Sequence, residues 1–414
     1  MKHLVILGAG TGGTMVANHL RHKLPSGWSL TVIDPSPTHL YQPGLLFLPF
    51  GSIDERKLQR ERRRTLRSGI EWVHEAVEVV DTDQRQVVLA GGARRPYDLL
   101  VIASGSDIRP EETEGLTGEH WGVSVHDFYT LSGALKLREA LASFRGGRLV
   151  LNVVEMPIKC PVAPLEFLFL ADDYFTRRGI RDRVELVYAT PLDGAFTKPV
   201  ASKALGSMLE QKGISVEAEF NAGEVDGDAK LLKSWDGREV PYDLLVSVPT
   251  HGGAPFIGAS GLGNELDFVP TEHHNLLAKG HDDIFVIGDA TDLPASKAGS
   301  VAHFQSEVVA ENLLHTMRGQ SLVEGFDGHS NCFIESGHGK ALLIDFNYEV
   351  QPLPGRFPLP VVGPFSLLAE SRINHWGKLG FRWIYWYGLL PARPLPFPSR
   401  MSMLGKDTSA LEAA

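Results

Sequence analysis

Two cysteines, Cys160 and Cys332, are the only thiols in the 414 residues. They lie far apart and lack zinc-ligand spacing, so the simplest interpretation is two buried thiols in a reducing compartment. Cys160, however, precedes a predicted helix, and backbone N–H groups at a helix start lower the pKa of a thiol. Glu166, further along that helix, is a candidate acid/base for chemistry at the thiol. The pattern therefore indicates either inert core thiols or a reactive sulfur site.

The chain begins with a strand, a glycine loop and a helix in the order of a dinucleotide-binding fold. The candidate binding residues of the loop are Gly8, Gly10, Thr11, Gly12 and Gly13. Glycines permit the tight turn and close backbone approach to a pyrophosphate, which the helix N-terminus also attracts. A second strand, WSLTVID, ends at Asp34, whose carboxylate is placed to accept hydrogen bonds from a ribose. These elements predict a bound dinucleotide.

A second strand-to-helix unit carries Cys160 but has no glycine loop. Strands predicted at 148–154 and 184–189 indicate a second nucleotide-binding-like lobe, with MPIKCPVAPLEF at its first turn. No glycine occurs between Gly147 and Gly179. Because a pyrophosphate then has no obvious binding site, we expect an electron donor other than a nicotinamide.

Composition excludes several classes of protein. The net charge of −10 argues against a nucleic-acid-binding surface, which needs a basic face. We expect no secretory signal and no membrane-spanning helix, because the sequence shows neither a signal pattern nor eighteen consecutive apolar residues. His273, His274 and His338 lack ligand spacing, so no metal site is predicted.

The region from Ser371 to Lys406 differs from the rest of the acidic chain. It contains no Asp or Glu, six Lys or Arg, and Trp376, Trp383 and Trp386. The residues predicted on one helical face, with two basic residues at its flank, are Leu379, Trp383, Trp386, Leu390, Lys378 and Arg382. This pattern favours a helix lying on a bilayer surface, and the alternative is a helix packed on the protein itself or on a second copy in a homo-oligomer.

Further phrases give the sequence a family resemblance. Tyr97–Gly105 and Tyr242–Pro249 are similar strand exits, and IFVIGD (284–289) follows in the order of flavoproteins with two dinucleotide-binding domains. The more specific phrases are HLYQPGLLFLPFG, PIKCPVAPLEF, FVIGDATDLPASKAGSVAHFQ, SNCFIESGHGKALLIDFNY and HWGKLGFRW. With them the chain resembles the sulfide:quinone oxidoreductases, which are related to flavocytochrome c sulfide dehydrogenase and to type II NADH dehydrogenases.

The resemblance implies an α/β fold with two Rossmann-like lobes, FAD as cofactor, and a redox-active disulfide or polysulfide bridge between Cys160 and Cys332. Hydrosulfide would attack this bridge, leaving a persulfide on Cys160 and a thiolate on Cys332 that attacks the flavin. Further implied FAD-binding residues are Gln42, Ala103, Ser104, Gly105, Gly288, Asp289 and Lys297. The acceptor would be ubiquinone or menaquinone, with Lys378, Phe346 and Tyr348 as candidate quinone contacts. Each lysine alone is more typical of an ordinary surface residue, and aromatic residues in a strand usually lie in the core.

The predicted organisation follows the same family. We expect residues 1–114 and 276–320 to form the FAD-binding lobe, 115–275 the second lobe, and 321–414 a C-terminal region with quinone- and membrane-binding helices. The protein would be peripheral (monotopic) on the cell membrane. Many members carry a third cysteine in the segment that resembles Gly122–Asp127, which has none here, so a thioether to the flavin is excluded at that position. Alternatives are a sulfide dehydrogenase with a cytochrome partner, an NADH:quinone oxidoreductase, and a flavin-binding sulfur carrier or sensor.

Overall fold

The computed structural model describes residues 1–394 and 399–409. The last part of the predicted region 321–414 therefore lies outside the described residues. The chain forms two parallel sheets flanked by helices, with smaller sheets, four antiparallel and one mixed, beside them. This arrangement confirms the α/β fold with two Rossmann-like lobes.

The first parallel sheet is built from the two ends of the predicted FAD-binding lobe. Its strands, in spatial order, are Ile284–Val286, Leu99–Ile102, Lys2–Leu7, Trp28–Ile33 and Glu71–Val73. The central strands are apolar on both faces, as expected where helices or other layers cover a parallel sheet. Because the strands are parallel, Gly8, Ala103 and Ile287 follow strands that end at the same edge.

The second parallel sheet belongs to the second lobe. Its strands, in spatial order, are Val125–His126, Leu244–Val248, Gly147–Val153, Val184–Ala189 and Ile214–Glu217. The segment with Cys160 leaves the carboxyl end of the central strand Gly147–Val153. This is the edge at which open α/β sheets bind ligands.

Five smaller sheets complete the strand structure of the described residues. Their strands are Thr38–Leu40 with Gln59–Glu61; Val77–Asp81, Gln86–Leu89 and Arg94–Pro96; Ser106–Ile108 with His251–Gly253; Ala222–Asp226, Leu231–Ser234 and Glu239–Pro241; and Ser330–Gly337, Lys340–Phe346, Phe365–Leu367 and Gly355–Phe357. In the last of these sheets, Ser330–Gly337 and Lys340–Phe346 form a hairpin that pairs Cys332 with Ile344. Gly337 and Gly339 have φ of +79° and +68°, which glycine adopts without strain in such a turn.

Helices cover the sheets. The α-helices are α1 (Thr11–Leu20), α2 (Leu131–Ser143), α3 (Ala163–Arg177), α4 (Pro199–Gln211), α5 (Pro255–Ala259), α6 (Gly299–Met317) and α7 (Arg372–Ile384). A π-helical turn, Tyr385–Leu389, continues α7. Short 3-10 helices span Gln42–Phe47, Glu55–Lys57, Arg62–Arg64, Pro110–Glu112, Arg181–Arg183 and Gly288–Ala290. Among the described residues, no helix has both the length and the apolar character needed to cross a bilayer.

The largest apolar core joins the second sheet, α3, the hairpin and the π-helical turn. Phe167 and Phe169 of α3, Ile334 of the hairpin, and Tyr385 are fully buried in it. The two thiols pack at the edge of this core. The fold thus fixes α3, the hairpin and the C-terminal helix against each other around the cysteines.

Candidate functional site

A single cavity of about 880 Å³ connects the glycine loop to both cysteines. The predicted FAD-binding residues that line it are Gly8, Gly10, Thr11, Gly12, Asp34, Gln42, Ala103, Ser104, Gly105, Gly288, Asp289 and Lys297. Gly13 lies behind the loop, where a Cβ would overlap the carbonyl oxygen of Gly8. The cavity also contains Cys160, Glu166, Cys332 and Lys378 in its wall. The fold therefore brings together residues from the whole length of the sequence.

The glycine loop fits the pyrophosphate of a dinucleotide. Gly8 has a φ of +98°, and a Cβ there would overlap the Ala103 carbonyl, so only glycine allows the loop to approach this strand. A Cβ at Gly10 would meet no protein atom within 4 Å and would stand in open space. Gly10 is the N-cap of α1, so the open space lies at a helix N-terminus, which favours a phosphate group.

Asp34 lies at the end of the second strand, as the sequence predicts. Its Oδ2 accepts a hydrogen bond of 2.7 Å from the Ala9 N–H, and its Oδ1 lies 3.1 Å from Nη2 of Arg62. Arg62 is buried and also lines the cavity, but sequence reasoning missed it. It belongs to a run of three arginines (62–64), and only the fold shows that the first of them points inwards.

Polar and charged side chains line the middle of the cavity. The Ser104 hydroxyl is buried without a hydrogen-bond partner among the described residues. Burial raises the pKa of the Asp289 carboxyl, and the nearby cations of Lys297 and Lys159 oppose that effect. Lys297 is buried, with Nζ donating to the carbonyl oxygens of Asp289 (2.8 Å) and Thr291 (2.6 Å). It is therefore not the ordinary surface lysine that its sequence alone would also permit.

Cys160 is held by its own backbone. Its N–H donates to the carbonyl oxygen of Lys297 (2.8 Å), and its carbonyl oxygen accepts from the N–H of Ala163, the first residue of α3 (2.8 Å). Its φ is +48°, a left-handed conformation uncommon outside glycine and costly in energy. Such backbone strain is typical of functional positions and fixes where the thiol lies.

Both cysteines are half-buried free thiols in the wall of the same cavity. The expectation that a helix start lowers the pKa of the Cys160 thiol is wrong. Burial raises that pKa, and the negative charge of Glu166 raises it further. Burial likewise raises the pKa of Cys332, to about 12. The physical reason is that α3 begins three residues after Cys160, so desolvation exceeds the effect of the helix N-terminus.

Glu166 lies in the first turn of α3 and is fully buried. Its Oε1 is 2.6 Å from Nζ of Lys378 and accepts from the N–H of Glu335 (2.7 Å), whereas Oε2 has no partner among the described residues. Burial raises the pKa of this carboxyl, and the Lys378 cation opposes the rise. Glu166 thus presents one unpaired oxygen within a site that also contains both thiols.

Comparison with known proteins agrees with this geometry. Residues 2–146 match the pyridine nucleotide-disulphide oxidoreductase family. The mitochondrial sulfide:quinone oxidoreductase of Dictyostelium discoideum is 28% identical over 396 residues, which cover 94% of this chain and 86% of that protein. The mitochondrial sulfide:quinone oxidoreductase of Mus musculus is 25% identical, over 84% of this chain and 79% of that protein. The chain thus matches the pyridine nucleotide-disulphide oxidoreductase family over residues 2–146 and, over most of its length, is similar to sulfide:quinone oxidoreductases.

A solved structure extends the likeness to the fold. The crystal structure of the sulfide:quinone oxidoreductase from the hyperthermophilic bacterium Aquifex aeolicus superposes with a TM-score of 0.80 at 19% identity, covering 95% of this chain and 92% of that one. The superfamily is FAD-dependent, so the prediction of FAD as the cofactor is confirmed.

Two of the predicted quinone contacts, Phe346 and Tyr348, lie outside the lining of the cavity. Phe346 is buried in the core with Nζ of Lys198 5.4 Å from its ring centre, and Tyr348 packs on His273. Neither is among the described residues that line the cavity. The strand Lys340–Phe346 is buried on both faces after its first residue, so Phe346 lies in the core. The aromatic residues at the Cys332 end are instead Phe333, the next residue in the strand, and Phe381, one turn after Lys378.

The predicted apolar face of the C-terminal helix is also partly wrong. Leu379 and Trp383 are exposed, but Trp386 and Leu390 are buried. The change from α-helix to the π-helical turn adds a residue per turn and rotates Trp386 inwards, where it packs against His39. Lys378 does not flank the exposed face, since its side chain reaches inwards to Glu166.

The π-helical turn also contacts the glycine loop. The hydroxyl of Tyr385 lies 2.8 Å from Oγ1 of Thr11 and 2.7 Å from Nε2 of His39. All three side chains come from separate segments, and Tyr385 is fully buried. The C-terminal segment is therefore tied directly to the predicted cofactor site.

Proposed function

We propose that the protein is a FAD-dependent sulfide:quinone oxidoreductase, which oxidises hydrosulfide to sulfane sulfur and reduces a membrane quinone. The observation that carries this proposal is the position of Cys160 and Cys332 in one cavity with the glycine loop. The strand Gly147–Val153 of the second sheet leads to Cys160 and not to a second glycine loop. This supports a donor that reacts with sulfur over one that needs a pyrophosphate site.

The sulfur chemistry begins with exchange at a bridge between the two cysteines. Hydrosulfide attacks the Cys160 sulfur, the Cys160–Cys332 bond breaks, a persulfide forms on Cys160, and Cys332 leaves as a thiolate. The thiolate and the persulfide then join as a trisulfide, which releases two electrons and one proton. A second hydrosulfide removes the extra sulfur as hydrodisulfide and restores the bridge. FAD, when bound, would supply the two-electron acceptor that links this oxidation to reduction of the quinone.

Glu166 is proposed to hold the proton that trisulfide formation releases. Its unpaired Oε2 is buried, and its negative charge acts on both Cys160 and Cys332. A proton acceptor must be within hydrogen-bond reach, either directly or through one water. Lys378 balances the charge of Glu166 while that carboxyl is ionised, which keeps a base available in a desolvated site.

The quinone is proposed to enter at the end of the cavity formed by the hairpin and α7. Phe333 and Phe381 offer apolar surfaces there, and Lys378 is the cation between them. An apolar lining with one placed polar group is typical of small-molecule sites. The glycine loop, Asp34 and the Gly288–Asp289 turn are proposed to hold FAD along the rest of the cavity.

We further propose peripheral, monotopic binding to the cell membrane through α7 and the π-helical turn. The exposed apolar residues of this segment are Ile373, Trp376, Leu379, Trp383, Ile384 and Tyr387. Their spacing places them along one side of the helix, which is amphipathic. Exposed tryptophans beside basic residues are typical of helices at a bilayer surface, where a quinone would be delivered.

Anaerobic titration of the FAD-loaded protein tests the enzymatic proposal. Sulfide is expected to bleach the flavin absorbance, a short-chain quinone to restore it, and NADH to have no effect. Bleaching by NADH would support an NADH:quinone oxidoreductase instead. Bleaching by sulfide without recovery on adding quinone would support a sulfide dehydrogenase or a sulfur carrier. Failure of sulfide to bleach the flavin would contradict the proposal.

A further inference from the structure

A second buried acid–base pair lies next to the Glu166–Lys378 pair. The hairpin strand Ser330–Gly337 carries Glu335 three residues after Cys332, and α7 carries His375 one turn before Lys378. Nδ1 of His375 lies 2.9 Å from both carboxylate oxygens of Glu335. The same strand and helix therefore supply both pairs.

The two pairs are in direct contact. The backbone N–H of Glu335 donates to Oε1 of Glu166 (2.7 Å), the oxygen that also binds Nζ of Lys378 (2.6 Å). Nζ of Lys378 also donates to the carbonyl oxygen of Phe333 in the same strand (2.7 Å). Lys378 and the strand Ser330–Gly337 thus fix the position of Glu335 relative to Glu166.

Exposure increases from the cavity outwards. The side chain of Glu166 is 0% exposed, that of Glu335 1%, and that of His375 23%. His375 precedes Trp376, which is on the exposed side of α7. The cluster therefore extends from the cavity wall to the protein surface beside the proposed membrane-binding face.

The cluster combines two carboxyls with a lysine cation and a histidine ring. The groups that act on Glu335 are His375, Lys378 and Glu166, and those that act on Glu166 are Lys378 and the backbone N–H of Glu335. The Glu166 carboxyl faces the Lys378 cation, and the Glu335 carboxyl faces the His375 ring. Burial raises the pKa of Glu335 to about 7, with His375 and Lys378 opposing the rise. The Glu335 carboxyl is therefore expected to take up and release a proton near neutral pH.

The proposed reaction requires proton transfer in this place. Trisulfide formation releases one proton beside Glu166, and reduction of a quinone takes up two. Because the site is desolvated, these protons need groups that exchange them with the solvent. We propose that Glu335 and His375 form a proton relay between Glu166 in the cavity and the surface beside α7. The inference rests on the proposed function and assigns Glu335 and His375 as positioning residues that act through Glu166.

The test compares Glu335→Gln with wild type as FAD-loaded proteins. An infrared titration without sulfide is expected to show a protonated-carboxyl band in wild type that disappears as pH rises through about 7, and that is absent in Glu335→Gln. The rate of quinone-coupled turnover is expected to fall at least about tenfold at pH 7 and to lose its neutral pH dependence. Glu335→Asp is expected to restore part of that dependence.

A matched control is Glu370→Gln, which removes an exposed carboxyl 3.6 Å from Lys340 at the same sheet. It should leave the band and the pH profile unchanged. His375→Ala provides a second test if Glu335→Gln does not fold: added imidazole is expected to restore at least about a third of its lost rate, as it does where a buffer base replaces a relay histidine. A wild-type pH profile in folded Glu335→Gln, or no imidazole rescue, would overturn the relay. Wild-type protein that sulfide does not bleach would instead overturn the proposed function.

Discussion

Replacing Lys378 by Met tests the buried ion pair at the centre of the site. The change keeps the length of the side chain and removes the cation 2.6 Å from Glu166, in a pair whose side chains are 13% and 0% exposed. Removing one partner of a buried pair costs about 3–5 kcal/mol, because the remaining charge is uncompensated. The free energy of unfolding of the FAD-loaded protein is expected to fall by about that amount at pH 8.5.

The cost should depend on pH in a defined direction. Burial already raises the pKa of Glu166 and Lys378 opposes the rise, so the substitution raises that pKa further. A carboxyl whose folded pKa is raised contributes stability at low pH that is lost as pH rises through the folded pKa, at about 1.4 kcal/mol per pH unit. Lys378→Met is therefore expected to cost less at pH 6 than at pH 8.5, because Glu166 then takes up a proton.

Denaturant titrations at both pH values, with FAD in excess, measure the effect. Glu166→Gln combined with Lys378→Met should be more stable at pH 8.5 than Lys378→Met alone, since the unpaired charge is gone. The control is Lys279→Met at an exposed position, with an expected change within about 0.5 kcal/mol. A cost below about 1 kcal/mol for Lys378→Met at both pH values, or a double variant no more stable than the single one, would refute the reasoning.

Three further predictions concern the cofactor site and the membrane. Gly10→Ala should change the stability of the apoprotein by no more than about 0.5 kcal/mol, because the added methyl group meets no protein atom. It should weaken FAD binding about tenfold in equilibrium titration, because the methyl group enters the space proposed for the cofactor. Unchanged affinity would contradict the assigned site. Tyr385→Phe removes the hydroxyl partner of buried His39 and of partly buried Thr11, and should cost about 1–3 kcal/mol in denaturant titration, whereas Tyr387→Phe should cost little. Equal costs would argue against the anchoring role. In flotation assays with anionic phospholipid vesicles, the wild-type protein should float with the vesicles, and the double variant Trp376→Ser/Trp383→Ser should not. Wild-type protein that does not bind the vesicles would contradict the membrane proposal.

The sequence predicts the parts of the site that come from short local patterns. The glycine loop, Asp34 and the Cys160 turn follow directly from strand, turn and helix signals, and both parallel sheets lie where the apolar runs predict them. The contact between Glu166 and Lys378 joins residues 212 positions apart, so only the tertiary fold reveals it. The inward rotation of Trp386 depends on a π-helical turn, which regular helical periodicity cannot predict.

The thiol environment shows why a pattern can give the wrong electrostatics. A helix start predicts a lowered pKa for Cys160, but the sequence does not show how deeply the turn is buried. Burial and the charge of Glu166 raise that pKa instead. A thiolate in this site therefore requires either bridge cleavage, which produces it directly, or proton transfer to a nearby base.

The central claim is that Cys160 and Cys332 form a bridge that exchanges sulfur with hydrosulfide and delivers two electrons to FAD. Its most direct test is anaerobic mixing of sulfide with wild type, Cys160→Ser and Cys332→Ser, following flavin absorbance and the mass of the non-reduced protein. The account predicts bleaching and an added sulfur atom between the two cysteines only in wild type, with FAD still bound in both variants. Wild-type rates of bleaching in either variant would contradict it.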